Sequence, residues 1–278
     1  MSRFQYKTLN VDLQKETRSL LIELSKPNQK LCSKTIFELE SILSWATSKI
    51  EISSILLTSN TPHFSLGWDP EEISCLDNNE LAELLLRVQA LTYGMLFLPQ
   101  TVVVDLKNGV SGVASELVIG ADIKIMATDG KVCFNHLKQG FTPSSGGIGF
   151  LPYFVPHGIY RNWILSGSPV EYSQLMSCGF VHQVYSDNTK KSTTQNILNG
   201  INMQAPMARM QAKRAMLEGV MAQLDKGIEI EKKISLASLI SHDWKEFVLT
   251  KMENVKANFH SAQEAIHCIR QGQGGENN

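Results

Sequence analysis

The chain lacks the features that would staple it, anchor it or give it a single-signed charge. Its 278 residues hold only five cysteines, at positions 32, 75, 133, 178 and 268, scattered and never spaced as CxxC. Such a set offers neither a disulfide framework nor a zinc spacing, and it fits reduced thiols in a cytoplasm. The remaining histidines and acids show no metal-ligand pattern either, so no metal is expected. No apolar run reaches about 18 residues, so no membrane-spanning helix is expected. Met1 to Asp12 is polar and mixed and does not read as a signal peptide. The 26 Lys and Arg are balanced by 27 Asp and Glu, for a net charge of −1 and a pI near 6.7. With no basic stripe or polybasic segment, neither nucleic acid nor an anionic membrane is expected as a partner. What is present is 43% apolar and 19% charged residues, the balance of a globular protein with a full-sized core.

Strand and helix patterns alternate along the first half. Residues 4–12 and 17–24 read as strands, and Pro27-Asn28 then breaks the chain. A helix is predicted over 33–49, with Ile36, Leu39, Ile42, Leu43 and Ala46 on one face. A buried strand at 54–58 leads to a loop at 59–69. A second helix over 79–97 carries Leu81, Leu84, Leu85, Val88 and Leu91, and Asp77 with Glu80 marks its start. Thr101 to Val104 is another buried strand. This rhythm predicts a parallel sheet covered by helices, with ligands beyond the carboxyl ends of its strands. The second half reads as mostly helical, with helices near 144–153, 156–166, 170–178, 190–202, 206–222 and 228–257 and one strand at 181–185. The Gly/Gln/Asn-rich tail, 271–278, is expected to be disordered.

Chemistry concentrates between Leu106 and Gly147. A small-residue turn, Ser111-Gly112-Val113-Ala114-Ser115, runs straight into Glu116. A strand-like segment follows from Ile123 to Met126, then a turn at 128–130, a short strand ending near Phe134, and His136. Small residues let a backbone approach a ligand closely, and free amides at a helix start can hold negative charge. Glu116 and His136 are placed to flank whatever those amides hold. Thr142-Pro143-Ser144-Ser145-Gly146-Gly147 reads as one more helix start.

These blocks resemble the crotonase superfamily, the enoyl-CoA hydratase/isomerase family, in order and over nearly the whole chain. Phe64-Ser65-Leu66-Gly67-Trp68-Asp69 is similar to the family's F-S-A-G-x-D loop. The 111–117 turn with Ala121-Asp122-Ile123-Lys124-Ile125 resembles its G-x-G-x-E-L…D-I-R-I block. Lys138 to Gly147 resembles K-L-G-x-x-P-x-x-G-G, and Leu165-Ser166-Gly167 with Cys178-Gly179-Phe180-Val181 resembles L-T-G…G-L-V. Ala212-Lys213-Arg214-Ala215 and residues 241–246 echo the C-terminal helices.

The resemblance implies a crotonase-like (ββα)n spiral, an α/β core over 1–200 carrying an acyl-CoA site. It also implies a C-terminal helical region over 201–270 that joins copies into a homotrimer or homohexamer. No separate cofactor is implied, because coenzyme A arrives as part of the thioester. The oxyanion-hole donors would be the backbone amides of Trp68 and Val113, stabilising an enolate, and Trp68 would narrow the acyl pocket. Glu116 would be the general acid or base. Family hydratases carry a second Glu where this chain has His136, and an imidazole can also move a proton near pH 7. Asn28, Ser65, Leu66, Gly67, Asp69, Gly112 and Lys213 are the candidates for contacting substrate or CoA.

Each assignment has a structural alternative. Glu116 at a helix start also stabilises the dipole. His136 can simply fill a vacated position, Asp69 can cap a loop, Asp122 can be a strand-start acid, and Lys213 can be a solvated lysine on a helix face. Two functions follow: a hydratase/isomerase-type enzyme, or a catalytically silent relative that binds acyl-CoA or partners an oligomer.

Overall fold

The computed structural model describes residues 5–26, 28–241 and 243–252. It opens with an antiparallel pair, β1 (Leu9–Gln14) and β2 (Ser19–Leu24). The first strand lies later than the expected 4–12, because a tight turn at 15–18, with Arg18 in the left-handed region, sets Gln14 opposite Ser19. Helix α1 (Ser33–Thr47) buries the face read from the sequence. Strand β3 (Ser54–Ser59) is buried at every position. A short α2 (Pro70–Ser74) follows the loop, with Pro70 at its first position and Glu71 and Glu72 in its first turn. Helix α3 (Asn78–Phe97) starts on a complete capping box between Asp77 and Glu80.

The next two strands of the main sheet are each followed by a shorter one in a second sheet. Strand β4 (Thr101–Asp105) gives way to β5 (Gly109–Ser111) and then to α4 (Val113–Leu117). Strand β6 (Ile123–Ala127) gives way to β7 (Lys131–Cys133). Next come α5 (Leu151–Phe154), α6 (His157–Ser166), β8 (Val170–Glu171), α7 (Tyr172–Ser177), β9 (Gln183–Tyr185) and α8 (Lys190–Asn202). The chain continues through α9 (Pro206–Glu218), α10 (Met221–Ser238) and α11 (Asp243–Met252). The main sheet has the order β1-β2-β3-β4-β6-β9, parallel from β2 onward, and the second has the order β5-β7-β8.

Two expectations change. The helix expected over 144–153 is irregular until α5, a bend at 145–146 and a turn over 147–150, with the amides of 144–148 drawn to two buried carboxylates described below. The long C-terminal helices divide elsewhere: α9 stops at Glu218, and α10 begins at Met221 rather than near 228. Residues 253–257 of the last expected helix and the tail at 271–278 lie outside the described residues. The helices after residue 200 share the core of the preceding chain. Lys213, Glu231 and Trp244 are all buried, and Trp244 packs on Phe141 with ring centroids 6.3 Å apart. Among the described residues no helix is long and apolar enough to cross a membrane.

Candidate active site

Two loops cross beyond the strand ends. The segment after β3 runs beside β5: the Ser111 amide donates to the Ser65 carbonyl at 3.0 Å, and Phe64 donates to Gly109. This carries Gly67 against Gly112. Both have positive φ, +89° and +58°, and a Cβ on Gly67 would stand 3.2 Å from the Ser111 carbonyl oxygen and 3.5 Å from Gly112 Cα. A Cβ on Gly67 would press on the Ser111 backbone, one on Gly112 would meet mainly Gln139 Oε1 at 3.1 Å, and at both the positive φ disfavours any other residue. The next residues are Trp68 and Val113, and among the described residues neither amide donates to an acceptor. Val113 opens α4, where an N–H has no intrahelical partner. Trp68 bridges Leu31 through its neighbours, which leaves its own amide unused.

The candidates around this crossing have distinct roles. Leu66 and Trp68 line a cleft of about 460 Å³ with Pro70, Ile73 and Phe141. Helix α11 closes one side of it with Phe247, Val248 and Lys251. Ser65 is buried and ties the loop internally, its hydroxyl donating to the Gln29 carbonyl at 3.1 Å and accepting from the Gly67 amide at 3.3 Å. Asp69 accepts from Asn28 Nδ2 at 2.8 Å and from Lys26 at 3.4 Å, so Asn28 and Asp69 lock the loop after β2 to the loop after β3. Gly112 donates to the Cys133 carbonyl and to Asn135 Oδ1 at 2.9 Å.

Lys213 is elsewhere. Its ammonium donates to the carbonyls of Met95 and Gln100 at 3.3 and 3.0 Å and to Asp122 at 2.6 Å, at the amino-terminal end of β4 and β6. It is buried and fully partnered, so neither the CoA-phosphate reading nor the solvated-lysine alternative describes it. Asp122 is the structural acid expected of it, also accepting from the Val102 amide at 2.7 Å.

Glu116 is completely buried. Its carboxylate accepts from the amides of Ser144 (3.1 Å), Ser145 (3.0 Å) and Gly147 (2.8 Å). Nε2 of His136 stands 2.9 Å from its other oxygen, yet neither ring nitrogen has an aligned hydrogen-bond partner among the described residues. At that distance the contact is an ion pair only when the ring is protonated, and its orientation keeps it from being an aligned hydrogen bond. Burial works against ionising Glu116, but His136 beside it and the amides of Ser145 and Gly147 outweigh that and hold the carboxyl below its ordinary range. The site therefore contains an anionic carboxylate next to an imidazole with unsatisfied nitrogens, behind a crossing that presents two spare amides.

Some contributors went unnoticed in the sequence. Lys30, Lys138 and Lys251 ring the cleft, and burial together with the charge of Lys251 lowers the pKa of Lys30 against the pull of Asp69. Lysines in loops carry no periodic signal. Asn135, between Phe134 and His136, has no pattern of its own. Glu231 has a signal in hindsight, since it shares the buried face of α10 with Leu224 and Ser235.

A family model described as enoyl-CoA hydratase/isomerase matches residues 15–262. The chain belongs to the enoyl-CoA hydratase/isomerase family. Within this family it is 21% identical over 250 residues to a short-chain-enoyl-CoA hydratase of Clostridium acetobutylicum, covering 89% of this chain and 96% of that one. It is 23% identical to a crotonyl-CoA hydratase of Syntrophomonas wolfei, covering 90% and 97%. The fold is the crotonase fold: an enoyl-CoA hydratase structure from Mycobacterium avium subsp. paratuberculosis superposes with a TM-score of 0.82 at 17% identity, over 92% of this chain and 99% of that one.

Proposed function

We propose that the chain is an enoyl-CoA hydratase/isomerase-type enzyme acting on an acyl-CoA thioester through an enolate. The observation that carries this is the close approach of Gly67 and Gly112, after which the amides of Trp68 and Val113 have no acceptor among the described residues. A thioester oxygen accepting from both would carry the enolate charge, and each such preorganised donor typically contributes about 3 kcal/mol to the transition state. The apolar cleft suits an acyl chain or pantetheine, and the lysines at 30, 138 and 251 suit phosphates. Glu116 takes the proton, either from C2 of a 3-enoyl thioester or from a water adding at C3. It returns the proton to C4 in isomerisation or to C2 in hydration. His136 holds Glu116 ionised and offers a second proton carrier.

The silent-relative reading also has an observation in its favour: Glu116 has no exposed surface, and three main-chain donors already occupy its carboxylate. An absorbance assay with crotonyl-CoA and a 3-enoyl-CoA decides between the two, comparing wild type with Glu116→Gln and His136→Ala. Turnover that collapses in Glu116→Gln supports the enzyme. No turnover with measurable acyl-CoA binding supports the silent binder. Assembly into trimers or hexamers belongs to the same proposal and is supported by the exposed Met203, Met207 and Met216 around α9.

A further inference from the structure

The segment that holds Glu116 is itself held from the other side. Residues 144–148 supply five consecutive amides: those of Ser144, Ser145 and Gly147 donate to Glu116, and those of Gly146 and Ile148 donate to Glu231, both at 2.9 Å. Glu231 sits on α10 and, like Glu116, has no exposed surface. The helix approaches so closely that a Cβ on Gly149 would stand 2.9 Å from the carbonyl carbon of Gly227. No regular structure fixes residues 141–150, so the two carboxylates set the orientation of its peptide planes.

We propose that Glu231 is a positioning residue for Glu116, acting through the 144–148 segment. This rests on the acid/base role given to Glu116 above. Neighbouring peptide planes share a Cα, so a plane released on the Glu231 side turns its neighbour away from Glu116. Without an acceptor at 231, Gly146 and Ile148 lose their partners. Ser145 and Gly147 then no longer aim at the catalytic carboxylate.

The charge state fits this role. Burial, and then the charge of Glu116, push the Glu231 carboxyl up to about 8, against the pull of the Gly146, Ile148 and Gly149 amides. Around it stand Glu116 on α4 with His136 behind it, and α3 with Gln89, whose amide donates to the Ser144 and Ile228 carbonyls, and Tyr93, bonded to Asp225. At neutral pH the pair thus carries mainly one negative charge, and Glu231→Gln removes the titration while keeping one of the two acceptor oxygens.

The test compares wild type, Glu231→Gln and Glu231→Ala by pH–rate profile and by amide NMR. In Glu231→Ala the Ser145 and Gly147 amide resonances should move and kcat should fall about 10- to 100-fold with KM held. In Glu231→Gln only the amide oxygen accepts, so one of Gly146 and Ile148 loses its partner: its resonance should move, kcat should fall less than in Glu231→Ala, and the inflection near pH 8 should disappear. Should the Ala variant not fold, the Gln variant decides by that inflection. Unmoved Ser145 and Gly147 resonances in Glu231→Ala, a Gln variant as impaired as the Ala variant, or a Gln variant that keeps the inflection would overturn the proposal. If the wild type has no turnover, the enzyme reading fails on its own. The amide resonances, with the pH response of Gly146 and Ile148, then still decide the positioning claim.

Discussion

Two buried pairs, Lys213 with Asp122 at the amino ends of β4 and β6 and Glu116 with His136 beyond β5 and β7, differ in what is left unsatisfied. At the amino ends, the three N–H donors of Lys213 meet two carbonyls and Asp122, with nothing spare. In the other pair, Glu116 is held by three amides while the ring nitrogens of His136 find no aligned partner. Burial alone does not separate structure from chemistry. A saturated network fixes a fold, whereas an unsatisfied donor beside an ionised acid, next to two idle amides, is a place where a reacting molecule can complete the bonding.

The contrast is broken most severely at Glu116. Glu116→Ala strands three buried amides, each costing about 1–3 kcal/mol, so it should unfold much of the protein. Glu116→Gln is the sharper variant and should lower kcat/KM by about 100-fold or more while keeping the fold. Its stability carries a sign. The folded carboxyl lies below its ordinary 4.5, so the stabilisation is present above pH 4.5 and is lost as pH falls through the folded value. Denaturant midpoints for wild type should therefore exceed those of Glu116→Gln at neutral pH and converge in acid.

At the second pair the expectation reverses. Lys213→Met leaves Asp122 without its cation and should destabilise by about 3 kcal/mol in urea titrations, with KM for the thioester unchanged. A raised KM would return Lys213 to the CoA site. His136→Ala should cost about 10-fold in kcat and also lower the melting temperature, because it empties a buried position and removes the imidazole that helps keep Glu116 ionised. Trp68→Ala keeps the amide and removes only the indole from the cleft, so chain-length competition should show a shift of a few-fold toward longer acyl groups.

Much of this was legible beforehand, for physical reasons. Ile36, Leu39, Ile42 and Leu43 repeat at the helical period, and Asp77 with Glu80 is a local cap, so α1 and α3 could be read directly. Gly112 could be read as a point of close backbone approach, but that the approach is to Gly67, 45 positions away, could not. Residues 144–148 misled because Pro143 followed by small residues resembles a helix start, while their amides answer to carboxylates 28 to 85 positions away. Lys213 misled for the same reason: Asp122 and the carbonyls of Met95 and Gln100 are remote in sequence. Local signals carry periodicity and caps; partners from distant elements leave no local trace.

In the proposed mechanism Glu116 moves a proton at the carbon beside a thioester held by the amides of Trp68 and Val113. Proton NMR of a saturated acyl-CoA in deuterium oxide reads this directly, as loss of the C2 signal. Wild type should catalyse exchange at C2, and folded Glu116→Gln should not. Equal exchange in both proteins, or none with wild type while the thioester is bound, would contradict it.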